Sequence, residues 1–298
     1  MKVQFLGPLC AFGSSVTWAI GSALYGKLSA KHSPFTVNFL RAAVAVPFHL
    51  ILALIFVPAS FAMVNLQSLG WMGLSMVSSY ILGDALFMKC VSYIGLSASL
   101  TIASAFPFWS ALVGWLFRGE VLGVERFFGL LLVVAGSVAV IRGDSKLKTE
   151  AVPGLRNRRA WGIALAIFTS ILWSFNPLAM AEASTILPVL TVNAVRMTFA
   201  LIVCPLLAVA SSGPTFLSEA RVDIKKHWPI FLLEAGVGSF LYVYGASHAP
   251  LAVAAALSSL APVVSVPVSI ALNLEKPSGL RIAGVFTVVS GVLLLVTT

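Results

Sequence analysis

Two stretches of this chain share one pattern: GEVLGVERFFGLLLVVAGSVAV at residues 119–140 and LEKPSGLRIAGVFTVVSGVLLLV at residues 274–296. Each contains a Glu, an Arg six residues later, and two glycines seven residues apart in an apolar run. Glu120 aligns with Glu275 and Gly129 with Gly284, and both pairs lie 155 residues apart. The chain therefore contains an internal repeat, which has to be recognised before a fold is assigned.

The same offset aligns scarce residue types along the whole chain. The matched residues are Trp18 with Trp173, Asn38 with Asn193, Arg41 with Arg196, Gly83 with Gly238, and Pro107 with Pro262. Apolar matches would prove little in so hydrophobic a chain, but Trp, Asn, Arg and Pro are uncommon here, so chance is a poor explanation. We predict a first five-helix half at residues 1–141, a basic hydrophilic linker at 142–159, and a second half at 160–298.

The composition excludes a water-soluble domain. The chain is 59% hydrophobic and 10% charged, with a mean hydropathy of +1.00, whereas about a quarter of the residues of a soluble domain are charged. The formal net charge of +9 resides mostly in short connections between apolar runs, where membrane proteins carry their topology-setting bases. We therefore expect a lipid bilayer around the chain and no nucleic-acid partner.

Ten apolar runs approach the roughly 20 residues that a helix needs to cross a bilayer. They lie at about residues 6–28, 34–57, 69–90, 97–117, 126–141, 161–183, 188–210, 228–247, 251–272 and 280–296. Because each half has an odd number of spans, the second half must enter the membrane from the opposite side. The predicted fold class is all-α integral membrane, with ten transmembrane helices in two inverted five-helix repeats around a central cavity.

In these features the chain resembles the EamA-type ten-helix exporters of the drug/metabolite transporter superfamily. The likeness also includes VNFLR at residues 37–41 and VNAVR at 192–196, early in the second span of each half. The resemblance implies a secondary transporter that moves a small organic metabolite, an amino acid or similar solute, by alternating access, with export as the expected direction. Facilitative exchange of phosphorylated or nucleotide-linked sugars is an alternative within transport.

Ionisable side chains inside membrane spans are candidates for function because burying them in lipid is expensive. Asp84, in the third predicted span, shares one helical face with Tyr80 and Phe87. Either Asp84 binds the solute or a proton, or it pairs with Lys89. Glu234, in the eighth span, binds the solute or lies near the start of its span in water.

The two acids break the repeat, since the equivalents of Asp84 and Glu234 are Ser239 and Ser79. Such asymmetry would let one solute bind in a particular orientation. Further polar and aromatic positions complete the predicted site. The candidate cavity residues are Trp18, Tyr80, Asp84, Phe87, Ser104, Trp173, Asn176, Glu234, Tyr242 and Ser259.

The arginines Arg41 and Arg196 are predicted to be framework or gate residues that bind carbonyls or a helix end, with direct contact to a carboxylate as the alternative. Pro107 and Pro262 belong to the same group, since they predict kinks in the fourth and ninth spans. Asn176 precedes a proline that is expected to interrupt backbone pairing in the sixth span and to expose carbonyls. The predicted ion-pair partner of Glu120 is Arg118 or Arg126.

The main rival class is an intramembrane enzyme. Leu82–Asp84 reads LGD, as in aspartyl intramembrane proteases, but Ile81 stands where that motif needs Gly, and no second intramembrane aspartate is apparent. No metal-ligand spacing or cofactor motif occurs. We therefore predict a transporter that is not an enzyme and has no cofactor. Its expected partners are a small-molecule substrate and protons, and its expected state is a monomer or a homodimer.

Two arguments about orientation disagree. On one side of the predicted membrane lie 14 Lys and Arg residues, against 3 on the other, and the positive-inside rule then places both termini outside. The family resemblance implies cytoplasmic termini. Either way we expect a multi-pass protein of a bacterial inner membrane.

Overall fold

The structure, a computed structural model, describes residues 5–28, 31–94, 96–143, 159–213, 216–264, 266 and 278–297. All regular structure within these residues is helical. The first half consists of α1 (Leu6–Leu28), α2 (Pro34–Phe56), α3 (Leu66–Ile94), α4 (Leu96–Ala103 and Phe106–Arg118) and α5 (Val124–Gly143). The second half consists of α6 (Arg159–Ile186), α7 (Val189–Ser212), α8 (Phe216–His248), α9 (Leu251–Ser258) and α10 (Gly279–Thr297). Most of the predicted linker, residues 144–158, lies outside the described residues.

Eight of these helices, α2 to α8 and α10, are long and apolar enough to cross a membrane. The shorter apolar helices Leu6–Gly21 and Leu251–Val264 belong to α1 and α9. The predicted all-helical membrane fold is therefore confirmed. Helices α3 and α8 are longer than predicted, because a count of apolar residues misses polar turns that continue a helix beyond the hydrocarbon.

Local sequence sets several helix ends. Ser33 caps α2, where its hydroxyl accepts a hydrogen bond from the Thr36 amide at 3.3 Å. Helix α4 breaks just before Pro107, which lies at the start of its second segment and has no amide hydrogen to donate. Gly119 ends α4 with a φ of 65°. The break confirms the predicted kink at this proline.

The helix contacts follow the repeat. Helix α1 packs on α8, and its equivalent α6 packs on α3. Helix α1 also contacts α9, as α6 contacts α4. Helix α2 packs on α8, as α7 packs on α3, and three further pairs join repeat equivalents directly: α2 with α7, α4 with α9, and α5 with α10. The two halves are therefore related by a pseudo-two-fold axis, and most of their packing is between halves.

The packing of α5 on α10 shows the relative direction of the halves. A Cβ atom at Gly136 would lie 2.6 Å from the carbonyl oxygen of Gly284, and one at Gly129 would lie 2.9 Å from that of Gly291. Rising residue numbers on α5 thus meet falling numbers on α10, so these repeat-equivalent helices are antiparallel and the halves are inverted. In lipid there is no hydrophobic driving force for helices to associate, so close packing of small residues stabilises the contact instead.

Substitution of Gly136 tests this contact. Gly136→Ala should lower the free energy of unfolding by about 1–3 kcal/mol, since the methyl group would overlap the backbone of α10. The matched control is Gly73→Ala, because a Cβ at Gly73 in α3 meets nothing within 4 Å. Thermal unfolding in detergent measures both variants, and equal melting temperatures would contradict the predicted contact.

Candidate functional site

The centre of the interface between the halves contains two arginines. Arg41 on α2 and Arg196 on α7 follow Asn38 and Asn193 by three residues, so each Asn and Arg share a helical face. Helices α2 and α7 pack against each other, and both guanidinium groups are buried, at 6% and 2% exposure. A buried guanidinium in a membrane protein needs polar partners, and the partners of these two differ.

Arg41 forms an ion pair across the two halves. Its Nε donates to Oε2 of Glu234 at 3.0 Å and its Nη2 to Oε1 at 2.7 Å, which is the side-on, two-bond geometry of a strong arginine–carboxylate pair. Its Nη1 donates to Asn38 Oδ1 at 2.9 Å. Of the two predictions for Arg41, direct contact with a carboxylate is the one found, because an acid on the other half is within reach.

Glu234 lies in a π-helical turn, Leu232–Gly238, within α8. It is 6% exposed, so the interpretation that it lies in water near the start of its span is wrong. Helix α8 begins well before Glu234 and carries it into the interior. Helix α3 has a π-helical turn at the equivalent place, Val77–Ile81, and such turns often occur at functional sites because they redirect side chains.

Asp84 is held by neutral groups. Asn38 Nδ2 donates to Asp84 Oδ2 at 2.9 Å and to the Tyr80 carbonyl at 3.0 Å, and the Trp173 indole adds a hydrogen bond to the same carboxylate. The alternative pairing with Lys89 is wrong, since Lys89 is exposed. Five residues turn a helix by about 140° beyond a full turn, which places the two side chains on different faces.

Aromatic rings enclose the arginines. The Arg41 guanidinium carbon lies 4.5 Å from the centre of the Tyr80 ring and 5.0 Å from that of Trp18. The Arg196 guanidinium carbon lies 5.9 Å from the same Tyr80 ring. Tyr80 therefore lies between the two cations, and cation–π contacts of this kind are stronger when desolvated. Trp173 packs on Phe87 with ring centres 5.2 Å apart.

Arg196 has only neutral partners. Its Nη2 donates to Ser239 Oγ at 2.7 Å, while its Nη1 makes longer bonds to Ser75 Oγ at 3.3 Å and Asn176 Oδ1 at 3.4 Å. Its Nε is buried and has no hydrogen-bond partner within the described part of the chain. Tyr242 is close enough to interact with it electrostatically. The guanidinium charge is therefore uncompensated by any acid at bonding distance in the described residues.

The polar frame is symmetric, but its charges are not. Asn38 binds Asp84, and at the repeat-equivalent position Asn193 Oδ1 accepts from Ser239 Oγ at 2.8 Å. Glu234 binds Arg41, whereas its equivalent Ser79 donates to the Ser75 carbonyl. The two halves thus present one shared scaffold with both acids on the Arg41 side.

The structure brings most predicted site residues together and leaves some apart. The residues at the cluster are Trp18, Tyr80, Asp84, Phe87, Trp173, Asn176, Glu234 and Tyr242. The hydroxyls of Ser104 and Ser259 instead donate to carbonyls of their own helices at 2.8 and 2.7 Å. Helix α6 continues through Pro177, and since proline has no N–H, one backbone hydrogen bond of the helix is missing there. Pro262 is half-buried just after α9.

Sequence reasoning missed several members of the cluster. Asn38, Asn193, Ser75 and Ser239 carry hydrogen bonds there, yet none was assigned to the site. A signal existed for the asparagines, which precede the arginines by three residues in both repeats. The serines gave no signal, because serine within an apolar span most often bonds to its own helix.

Polar contacts also join the halves at each end of the molecule. At one end, which we call the α4–α9 clamp, Arg118 lies 3.5 Å from both Glu120 and Glu182, and the Leu251 amide donates to Glu120 at 2.7 Å. This confirms Arg118 as a partner of Glu120. At the opposite end, His32 lies 2.7 Å from Asp223 of α8. Two pockets, of about 460 and 220 Å³, lie at the α4–α5 turn, away from the central cluster.

The Arg41–Glu234 pair can be tested by a double-mutant cycle. Glu234→Gln leaves a buried guanidinium unpaired, so we expect it to lower the free energy of unfolding by about 3–5 kcal/mol. Adding Arg41→Gln should recover part of that loss. The control is Glu125→Gln, an exposed glutamate of α5. Thermal unfolding measures the cycle, and additive losses would contradict direct pairing.

Known proteins match this architecture along nearly the whole chain. The sequence profile of the EamA-like transporter family matches residues 5–142 and 160–297. A protein described as an uncharacterized transporter, from Archaeoglobus fulgidus, is 24% identical over 287 residues, which cover 96% of each chain. A crystal structure of a protein matches with a TM-score of 0.75 at 16% identity, over 99% of this chain and 95% of that chain, a likeness that shows the fold alone. Because both halves match the family profile, the chain belongs to the EamA-like transporter family.

Proposed function

We propose that this multi-pass membrane protein exports a small organic metabolite, an amino acid or a similar solute, by alternating access. The observation that supports this most is the buried cluster of Arg41, Glu234, Asp84 and Arg196 at the interface of two inverted halves. Inverted repeats have two related arrangements, one open to each side, with the site between them. A bacterial inner membrane is the proposed location.

The residues of the cluster have distinct proposed roles. Arg41 and Glu234 neutralise each other and join α2 to α8, so they act as framework. Asp84 is half-buried, and its partners among the described residues are an amide and an indole, which makes it the candidate for binding a proton or the cationic group of a solute. Trp18 and Trp173 supply ring faces beside these charges.

The contacts at the two ends are the proposed gates. The α4–α9 clamp and the His32–Asp223 pair each join one half to the other, at opposite ends of the molecule. A carrier that alternates must open one end while the other stays closed. The clamp suits that task, since its side chains are 22–27% exposed and ion pairs open to solvent contribute only about 0–1 kcal/mol.

The alternatives fit the cluster less well. Phosphorylated or nucleotide-linked sugars carry two or more negative charges, and the cluster has one guanidinium that no acid binds. An aspartyl protease needs two facing aspartates, whereas the other acid of the described cluster, Glu234, is bound by Arg41. Transport of a solute with low net charge therefore remains our proposal.

Counter-flow into proteoliposomes tests both carrier-mediated transport and the role of Asp84. Wild-type protein should exchange a labelled amino acid for the unlabelled one, and a pH gradient should drive net movement. Asp84→Asn should abolish the pH-driven component and spare counter-flow, because an amide does not bind a proton in this range. Glu125→Gln is the control, and an unchanged pH dependence in Asp84→Asn would remove Asp84 as the proton site.

Cross-linking the α4–α9 clamp tests alternation. Arg118→Cys and Glu182→Cys, in a chain lacking Cys10, Cys90 and Cys204, place thiols on the two halves where the native side chains lie 3.5 Å apart. A short bismaleimide should reduce counter-flow at least tenfold, since the gate can no longer open. Each single-cysteine variant is a control. Full counter-flow by cross-linked protein would contradict a gate at this end.

A further inference from the structure

The two central arginines present the same guanidinium edge to different partners. In Arg41 the edge formed by Nε and Nη2 binds both oxygens of Glu234, at 3.0 and 2.7 Å. In Arg196 the Nη2 of that edge binds one serine hydroxyl, Ser239 Oγ, and the Nε is buried without a hydrogen-bond partner among the described residues. The repeat equivalent of Glu234 is Ser79. Arg196 therefore lacks the carboxylate that its symmetry mate has.

From this difference we infer that Arg196 binds the carboxylate of the transported solute, on the edge that corresponds to the Glu234-binding edge of Arg41. The inference rests on the proposed function and specifies its substrate class as a solute with a single carboxylate. Buried N–H groups in proteins nearly always have partners, so an orphan on a buried cation indicates a ligand that arrives during the transport cycle.

The charges of the cluster favour a monoanionic group over a phosphate. Arg41 and Glu234 neutralise each other at 2.7 Å, which leaves one guanidinium charge on Arg196. One guanidinium edge matches the two oxygens of one carboxylate. As the arginine reorients toward the solute, it gives up the long bonds from Nη1 to Ser75 and Asn176, at 3.3 and 3.4 Å, and exchanges the Nη2 bond to Ser239 Oγ, at 2.7 Å, for one to the carboxylate.

The surroundings of Arg196 also suit a small organic acid. Tyr80 presents its ring 5.9 Å from the guanidinium carbon, and Tyr242 interacts with the same group. Asp84 is bound by Asn38, which also donates to the Tyr80 carbonyl. Asp84 and Arg196 thus both lie in the neighbourhood of Tyr80, and an acid and a cation in one cluster match the amino and carboxylate groups of an amino acid.

The test compares amino acids with their amides. Leucine, phenylalanine and threonine, each paired with its carboxamide, are offered to wild-type proteoliposomes as counter-flow substrates. We expect wild type to prefer acid over amide by about 10- to 100-fold, the range of a charge-assisted hydrogen bond. Arg196→Gln should remove the preference, and Arg196→Lys should restore part of it.

A second variant supplies the missing carboxylate from the protein itself. Ser79→Glu places an acid at the repeat equivalent of Glu234, where it should occupy Arg196 and reduce acid counter-flow at least tenfold. Ser79→Gln is the matched neutral control and should retain most of it. Thermal unfolding in detergent checks that each variant folds, and if Ser79→Glu does not fold, the Arg196 variants decide the matter.

The outcomes separate this inference from the proposed function. Equal counter-flow of acids and amides by wild type, or an acid preference that survives in Arg196→Gln, overturns the carboxylate site and leaves carriage intact. A carboxylate-dependent quench of tryptophan fluorescence without any counter-flow supports the site and overturns the carrier. If none of these solutes binds or moves, both the carboxylate site and the carrier are overturned.

Discussion

The ion pair between Arg41 and Glu234 is the interaction on which the centre of this structure depends. It joins α2 of one half to α8 of the other through two hydrogen bonds, at 3.0 and 2.7 Å, where both side chains are almost fully buried. Removing either partner would leave a buried charge with no solvent, which is among the larger destabilising changes a protein can undergo. Asn38 extends the pair to Asp84, so the position of the half-buried acid follows from that of the arginine.

The inverted repeat explains why the site lies where it does. Equivalent helices meet at the pseudo-two-fold axis, α2 against α7 and α5 against α10, so residues of the two VN–R motifs approach each other at the centre. The asparagines and arginines of this frame are symmetric, but its acids are not. The repeat equivalents of Asp84 and Glu234 are the serines Ser239 and Ser79. A solute bound in such a site has one preferred orientation, which a fully symmetric cluster could not impose.

Sequence alone predicted the repeat and the helices, because these depend on hydropathy and on scarce residues in register. It also selected Arg41, Asp84 and Glu234 individually. It did not predict that Arg41 and Glu234 pair, since partners 193 residues apart are brought together only by the packing of α2 against α8. The π-helical turn that holds Glu234 shifts the register of side chains around it, and no pattern of hydropathy reveals such a turn. The serine partners of Arg196 could not be predicted for a similar reason, because their role depends on contact with a neighbouring helix.

The position of the ion pair also bears on how the halves can move. When two bodies rock about a common axis, atoms near the axis move least and atoms at the ends move most. In the proposed alternating-access motion, a strong, buried two-bond contact such as Arg41–Glu234 would persist, whereas the contacts proposed to separate are the α4–α9 clamp and the His32–Asp223 pair at the two ends. The clamp side chains are partly exposed, so their separation is inexpensive. Arg196, with its weaker neutral contacts beside the same axis, is then the one central cation in the described residues whose partners can change during the cycle while the frame around it holds.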